Sequence, residues 1–121
     1  MNKVAVYGSL KKGFGNHRLL KGSNMIDETF TKPEFHMGSF GAFPGIVEGN
    51  KKVKVEVYEV DDQTFKNLDH LEGYPRYYNR KEITLENGIK AWIYFLDDED
   101  YDYLKDEPHI ENWKERKLSN I

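Results

Sequence analysis

The 121-residue chain contains no cysteine. Disulfide scaffolds, cysteine-ligated zinc, iron–sulfur centres and thiol nucleophiles are thereby excluded. It also lacks internal repeats, low-complexity linkers and long apolar runs. The N-terminal stretch Met1-Asn2-Lys3-Val4-Ala5-Val6 turns polar by Gly8 and Ser9, so it reads as neither a signal peptide nor a membrane span. Basic charge is not in excess either. A net charge of −3 and a pI of about 5.8 argue against non-specific nucleic-acid binding. The expectation is a soluble, cytoplasmic protein, monomeric by default, with neither a nucleic-acid nor a membrane partner.

The length fits one domain, large enough to bury a core without covalent staples. Charge is unevenly placed: residues 1–96 sum to +2 and residues 97–121 to −5. The chain therefore divides into a domain over 1–96 and an acidic C-terminal extension over 97–121, packed on that domain or trailing from it. An acidic segment of this kind is ordinarily a solvated face.

Val4-Ala5-Val6-Tyr7 predicts a first strand buried on both faces. A glycine-rich stretch follows, with Gly8, Gly13 and Gly15, then a helical turn over 16–21 capped by Asn16 and ended by Gly22. Two short strands flank Lys32-Pro33, and Gly41-Ala42-Phe43-Pro44-Gly45 reads as a turn. Residues 51–60 give the clearest strand, with Val53, Val55 and Val57 on one face. Asp61 or Asp62 caps a helix whose Phe65, Leu68 and Leu71 recur at helical spacing, and Gly73-Tyr74-Pro75 ends it. Asn87-Gly88 joins strands 78–86 and 89–96 in a hairpin. A helix before Pro108, pinned by Trp113, closes the chain. Strands outnumber helices without alternating with them. That pattern excludes a doubly wound parallel sheet and predicts an α+β domain or small barrel.

Two segments carry candidate chemistry. In Tyr7-Gly8-Ser9-Leu10-Lys11-Lys12-Gly13, glycine after a buried strand lets successive backbone N–H groups line a concavity for a carboxylate, a phosphate or a developing oxyanion. The loop matches neither GxGxxG nor GxxxxGK[ST], so it implies no nucleotide. In Leu68-Asp69-His70-Leu71-Glu72-Gly73-Tyr74-Pro75, Leu68 and Leu71 are expected to face the core. Glu72 then lies beside an apolar stripe at a helix C-terminus, where desolvation and the helix dipole both disfavour its ionised form. That is how a carboxylate becomes a general base near neutral pH. Asp69 offers a second carboxylate on a nearby side of the same helix. His17, His36, His70 and His109 show no metal-ligand spacing. Tyr74, Tyr77, Tyr78 and Tyr94 read more simply as packing than as ligand contacts. Arg76 and Arg80 either balance the acidic tail or hold a substrate carboxylate.

The ordered set Tyr7-Gly8-Ser9-Leu10, Gly13, Asn16-His17, Phe43-Pro44-Gly45, Val57-Tyr58, Leu68-Asp69, Glu72-Gly73-Tyr74-Pro75, Tyr78, Arg80 and the strand from Ala91 to Tyr94 resembles the gamma-glutamylcyclotransferase-like, or AIG2-like, family. In pattern it is nearest to the small gamma-glutamylamine cyclotransferases. The resemblance implies an α+β fold with a small mixed β-barrel, short flanking helices and one pocket. It also implies cleavage of a small-molecule γ-glutamyl amide by its own α-amine, giving 5-oxoproline and a free amine. No cofactor, metal or covalent enzyme intermediate would be involved. Glu72 falls on the family's catalytic glutamate, and Tyr7, Gly8, Ser9 and Leu10 on its substrate-binding loop.

Two departures stand out. Ser9 replaces a threonine common in the family and keeps the hydroxyl. Val55-Glu56-Val57-Tyr58 stands where many relatives carry Gly-Glu-Leu-Tyr, a change expected to reshape the pocket wall. Two other readings share the fold. One is a catalytically silent small-ligand-binding module, which would tend to lose the Glu72 carboxylate. The other is a tailoring enzyme that removes a γ-glutamyl protecting group by the same mechanism.

Overall fold

A computed structural model describes residues 1–114; residues 115–121, the end of the expected acidic extension, lie outside the described residues. The described residues form seven strands: β1 Asn2–Val6, β2 Asn24–Phe30, β3 Phe35–Ser39, β4 Pro44–Glu48, β5 Lys54–Val60, β6 Asn79–Thr84 and β7 Lys90–Phe95. The helices are α1 Asp62–Glu72 and the short α2 Asp98–Tyr101, with 3-10 turns at His17–Leu20 and Asp102–Asp106. Five strands make one mixed sheet in the order β2-β5-β1-β7-β6, in which only β1 and β7 run parallel. β3 and β4 pair as a separate hairpin.

The alternation of β1 builds the layers. Val4 and Val6 enter one core with Leu10, Leu20, Tyr58, Val60 and the α1 residues Phe65 and Leu68. Ala5 and Tyr7 enter another, with Val53, Val55 and Val57 and with Phe35, Met37 and Ile46 of the β3–β4 hairpin. The helix thus covers one face of the sheet and the hairpin the other, which is why β1 is apolar on both sides.

The sheet does not close into a barrel. Its edge strands β2 and β6 are not ladder partners; β2 is instead bonded by the turn after β6, where Glu86 N–H donates to Phe30 C=O at 3.0 Å and the Asn87 amide donates to Asp27. Closure needs a continuous ladder between first and last strands, and here the hairpin fills the open side instead. The expected turn over residues 41–45 is shorter than its composition implies. Phe40 N–H donates to Phe43 C=O, and Pro44 and Gly45 already belong to β4. These two residues are poor strand formers and gave no strand signal; their pairing with Ser39 and Gly38 comes from the hairpin.

α1 has the expected ends. Asp61 accepts from Thr64 N–H at 2.7 Å, and Gly73 terminates the helix in the left-handed conformation at φ +65°. Asn16, by contrast, does not cap the 3-10 turn; its side-chain amide donates to Ser9 Oγ at 2.9 Å. Beyond β7, Leu104 is buried with Val47 and Leu96. The irregular segment that follows is laced to the domain. His109 Nδ1 accepts from Met37 N–H while its Nε2 donates to Lys52 C=O, and Ile110 N–H donates to Met37 C=O. The buried Lys11 ammonium donates to Asn112 Oδ1 at 2.8 Å and Trp113 C=O at 2.7 Å.

A clamp fixes the C-terminal half of α1 on the sheet. Asp69 receives two bonds from the Arg80 guanidinium of β6, at 2.8 and 3.2 Å, and a third from the Tyr94 hydroxyl of β7 at 2.7 Å. Arg80 itself lies over the rings of Phe65, Tyr74 and Trp92, 4.3–4.8 Å from their centroids. Arg80→Met should leave Asp69 without its counter-ion and cost roughly 2–4 kcal/mol in denaturant unfolding. Arg80→Lys should recover less than half, because an ammonium reproduces neither the fork nor the stacking.

Candidate functional site

The C-terminal end of β1, the loop after it, the start of β4 and the C-terminal turn of α1 enclose a cavity of about 810 Å³. Tyr7, Gly8, Ser9 and Leu10 all line it, and so does Glu72. The two segments with candidate chemistry, far apart in sequence, therefore meet at one site.

The loop approaches β4 closely. A Cβ on Gly8 would stand 2.7 Å from the Pro44 ring, so only glycine lets the backbone pass there. Lys11 N–H donates to Gly8 C=O and Asn16 N–H to Ser9 C=O, both at 3.0 Å, which holds the loop shut on itself. The N–H groups of Gly8, Ser9 and Leu10 have no acceptor among the described residues. The residues that carry them line the cavity. The Ser9 Oγ accepts from the Asn16 amide, which orients the side chain and leaves its own proton available beside the backbone N–H groups.

Glu72 is the last residue of α1, with Tyr78 N–H bonded to its carbonyl at 3.2 Å. Burial pushes its carboxyl up to about 7. Three phenols sense the carboxyl: its charge is among the causes that raise the already buried Tyr7, Tyr78 and Tyr94 above their ordinary range. Yet each phenol spends its proton elsewhere. Tyr7 donates to Tyr94 C=O at 2.9 Å, Tyr78 to Pro44 C=O at 3.0 Å, and Tyr94 to Asp69. Glu72 thus receives no hydrogen bond from the described residues, and nothing offsets its desolvation.

The remaining candidates separate cleanly. Asp69 is consumed by the clamp with Arg80 and Tyr94, so it forms no working pair with Glu72. Arg80 is held by Asp69 and three aromatic rings and does not line the cavity, which removes it as a substrate-carboxylate ligand. Arg76 does not line the cavity either. Among the histidines only His70 reaches it; His17 Nδ1 bonds Leu10 C=O, and His36 and His109 pack together under the C-terminal segment. Tyr77, Tyr78 and Tyr94 line the cavity, whereas Tyr74 stacks on Arg80.

Two expectations need correction. Leu71 does not face the core: it is 39% exposed, because the space beside that turn of the helix is the cavity rather than packed side chains. The Val55-Glu56-Val57-Tyr58 stretch does not form the pocket wall. Val55 and Val57 are buried in the core under the hairpin, and Glu56 accepts from Lys12 N–H and the Tyr58 hydroxyl. Sequence reasoning also missed Phe14, Phe40 and Tyr101 as cavity residues. They are brought there by the β1 loop, the β3–β4 turn and α2, and their spacing carries no periodic signal.

The architecture recurs in solved structures. An AIG2-like protein from Mus musculus superposes with a TM-score of 0.81 over 94% of this chain and 88% of its own, at 24% identity. The Pyrococcus horikoshii protein PH0828 superposes with a TM-score of 0.68 at 33% identity, over 79% of this chain and 78% of its own. In sequence, the Methanocaldococcus jannaschii protein MJ1514 is 46% identical over 102 residues, spanning 78% of this chain and 84% of that protein. The gamma-glutamylcyclotransferase family protein YtfP of Escherichia coli K12 is 34% identical over 92 residues, spanning 76% and 80%. The model of the gamma-glutamyl cyclotransferase, AIG2-like family matches residues 4–115, and the chain belongs to that family.

Proposed function

We propose that the protein cleaves a γ-glutamyl amide by attack of the substrate's own α-amine on the γ-carbonyl, releasing 5-oxoproline and a free amine. The observation that carries this reading is Glu72, a half-buried carboxyl at the cavity wall that desolvation pushes up to about 7.

The proton balance explains why that value matters. An α-ammonium has a pKa of about 8, and an ordinary glutamate lies roughly 4 units lower, so proton transfer between them costs about 5 kcal/mol. With the carboxyl near 7 the gap falls to about 1 unit, or about 1.4 kcal/mol. Glu72 takes one proton from the ammonium, and the neutral nitrogen attacks the γ-carbonyl to close a five-membered ring. The carbonyl electron pair moves onto oxygen, where the free N–H groups of Gly8, Ser9 and Leu10 receive it. Glu72 then hands its proton to the leaving nitrogen. The carbonyl re-forms, the original C–N bond breaks, and the second proton of the new lactam nitrogen follows the same route. Both protons end on the released amine and Glu72 returns to its carboxylate. Because the nucleophile is part of the substrate, the protein mainly holds the near-attack conformer and supplies the base.

Mass-spectrometric detection of 5-oxoproline across a panel of γ-glutamyl amides tests the reaction. Glu72→Gln, nearly isosteric, should lower turnover by about 10²–10⁴-fold while the fold is retained. Turnover by the variant within about threefold of wild type would remove Glu72 as the base.

Two pH dependences follow from the same carboxyl. The kcat/KM profile should fall on the acid side with an apparent pKa near 7. For stability the folded chain holds the Glu72 proton up to about 7, whereas the unfolded chain releases it at the ordinary value of about 4.3. Wild-type stability therefore declines as pH rises between those values. Glu72→Gln should be more stable than wild type by roughly 3–4 kcal/mol at pH 8 and about equal to it at pH 4, read by thermal or urea unfolding.

A further inference from the structure

The cavity has a second half that the chemistry above does not use. Beyond the Glu72 wall, its mouth is lined by Phe14, Phe40, Phe43, Leu71, Tyr77 and Tyr101. Three of these rings form a continuous face: Phe40 lies 5.3 Å from Phe43 and 6.0 Å from Tyr101, the latter pair edge to face. Phe43 is 45% exposed and Tyr77 67%, although aromatic side chains of this size are ordinarily more covered. Phe43 and Tyr77 both open onto the cavity, whereas the exposed Tyr103 does not line it.

Charge in the cavity is equally one-sided. No lysine or arginine lines it among the described residues, and its only acidic and imidazole side chains are Glu72 and His70. Outside the mouth, α2 carries Asp98, Glu99 and Asp100 immediately before Tyr101. Lys105 is taken up by Asp98 and Asp102 at 3.1 and 3.3 Å. A carboxylate in the outer half would therefore meet rings and like charge, with no cation among the described lining residues to receive it. The volume of about 810 Å³ lies within the range of drug-sized ligand sites, so a γ-glutamyl group by itself would leave the outer half unfilled.

From the aromatic mouth and the missing cation we infer that the leaving group is an amine bearing an aromatic or bulky apolar group and no carboxylate, seated against Phe40, Phe43, Tyr77 and Tyr101. This specificity rests on the cyclotransferase reading for its chemistry, but the recognition surface is independent of it. The γ-glutamyl half sits at the loop and Glu72; the departing amine lies across the rings, its alkyl or aryl body stacked where the side chains are now open to solvent. γ-Glutamyl amino acids, which carry a carboxylate on the departing side, are disfavoured by the same surface.

A matched set of compounds separates the contributions: γ-glutamyl-phenethylamide, γ-glutamyl-ethylamide and γ-glutamyl-phenylalanine. The first and second differ by the ring, the first and third by the carboxylate. The phenethylamide should exceed each of the others in kcat/KM by about tenfold or more, chiefly through KM. Phe43→Ala combined with Tyr77→Ala should collapse the phenethylamide-to-ethylamide ratio toward one. Calorimetric binding to Glu72→Gln should show the same order of affinities without turnover. Release of 5-oxoproline from all three at similar efficiency, or a preference for the phenylalanine compound, would overturn the inference and leave the reaction standing. Absence of turnover with the binding order intact would overturn the reaction and leave the recognition surface standing. Absence of both would overturn both.

Discussion

The site depends on the three bonds that meet at Asp69. Helix α1 lies on a twisted sheet through only two buried apolar residues, Phe65 and Leu68, and such a short hydrophobic stripe fixes its position poorly by itself. Asp69 adds direction: the Arg80 fork comes from β6 and the Tyr94 hydroxyl from β7, so the carboxylate locks the last helical turn to two adjacent strands. Arg80 is in turn desolvated by three rings, which keeps water from competing for the pair. Three residues further on, this lock places Glu72 against the cavity.

Glu72 is the counterpart of Asp69. Both are carboxylates near the same helix end, yet one is satisfied three times and the other receives no hydrogen bond from the described residues. The difference is made by the phenols. Tyr7, Tyr78 and Tyr94 surround the Glu72 site with their protons directed to two carbonyls and to Asp69. A carboxyl desolvated without compensation holds its proton to about 7. The stability surrendered to leave it unsatisfied is what equips it to exchange protons with an amine.

Much of this was legible in the chain. Asp61 and Gly73 mark both ends of α1, Asn87-Gly88 marks the β6–β7 hairpin, and the alternating valines mark β5, because capping, positive φ and period-two burial are local properties. Glu72 and the Tyr7–Leu10 loop stood out as candidates, and they converge on one cavity. What escaped was set by tertiary partners. Pro44 and Gly45 become strand only because β3 lies beside them, and the sheet stays open because a hairpin covers its face. Leu71 has the helical phase of a core residue but opens onto the cavity, and Arg80, which reads in sequence as a counter-ion of the tail or a substrate ligand, is held by Asp69. The aromatic mouth draws on four separate segments, a juxtaposition that no local spacing encodes.

The central claim is that Glu72 holds a proton near neutral pH because the fold buries it unpaired. The most direct measurement is a pH titration of its side-chain carboxyl by 13C NMR in the folded protein, with the resonance assigned by its loss in Glu72→Gln. The account predicts a midpoint near 7. A midpoint at the ordinary glutamate value of about 4.3 would contradict it, since a carboxyl that ionises there is either hydrated or hydrogen-bonded.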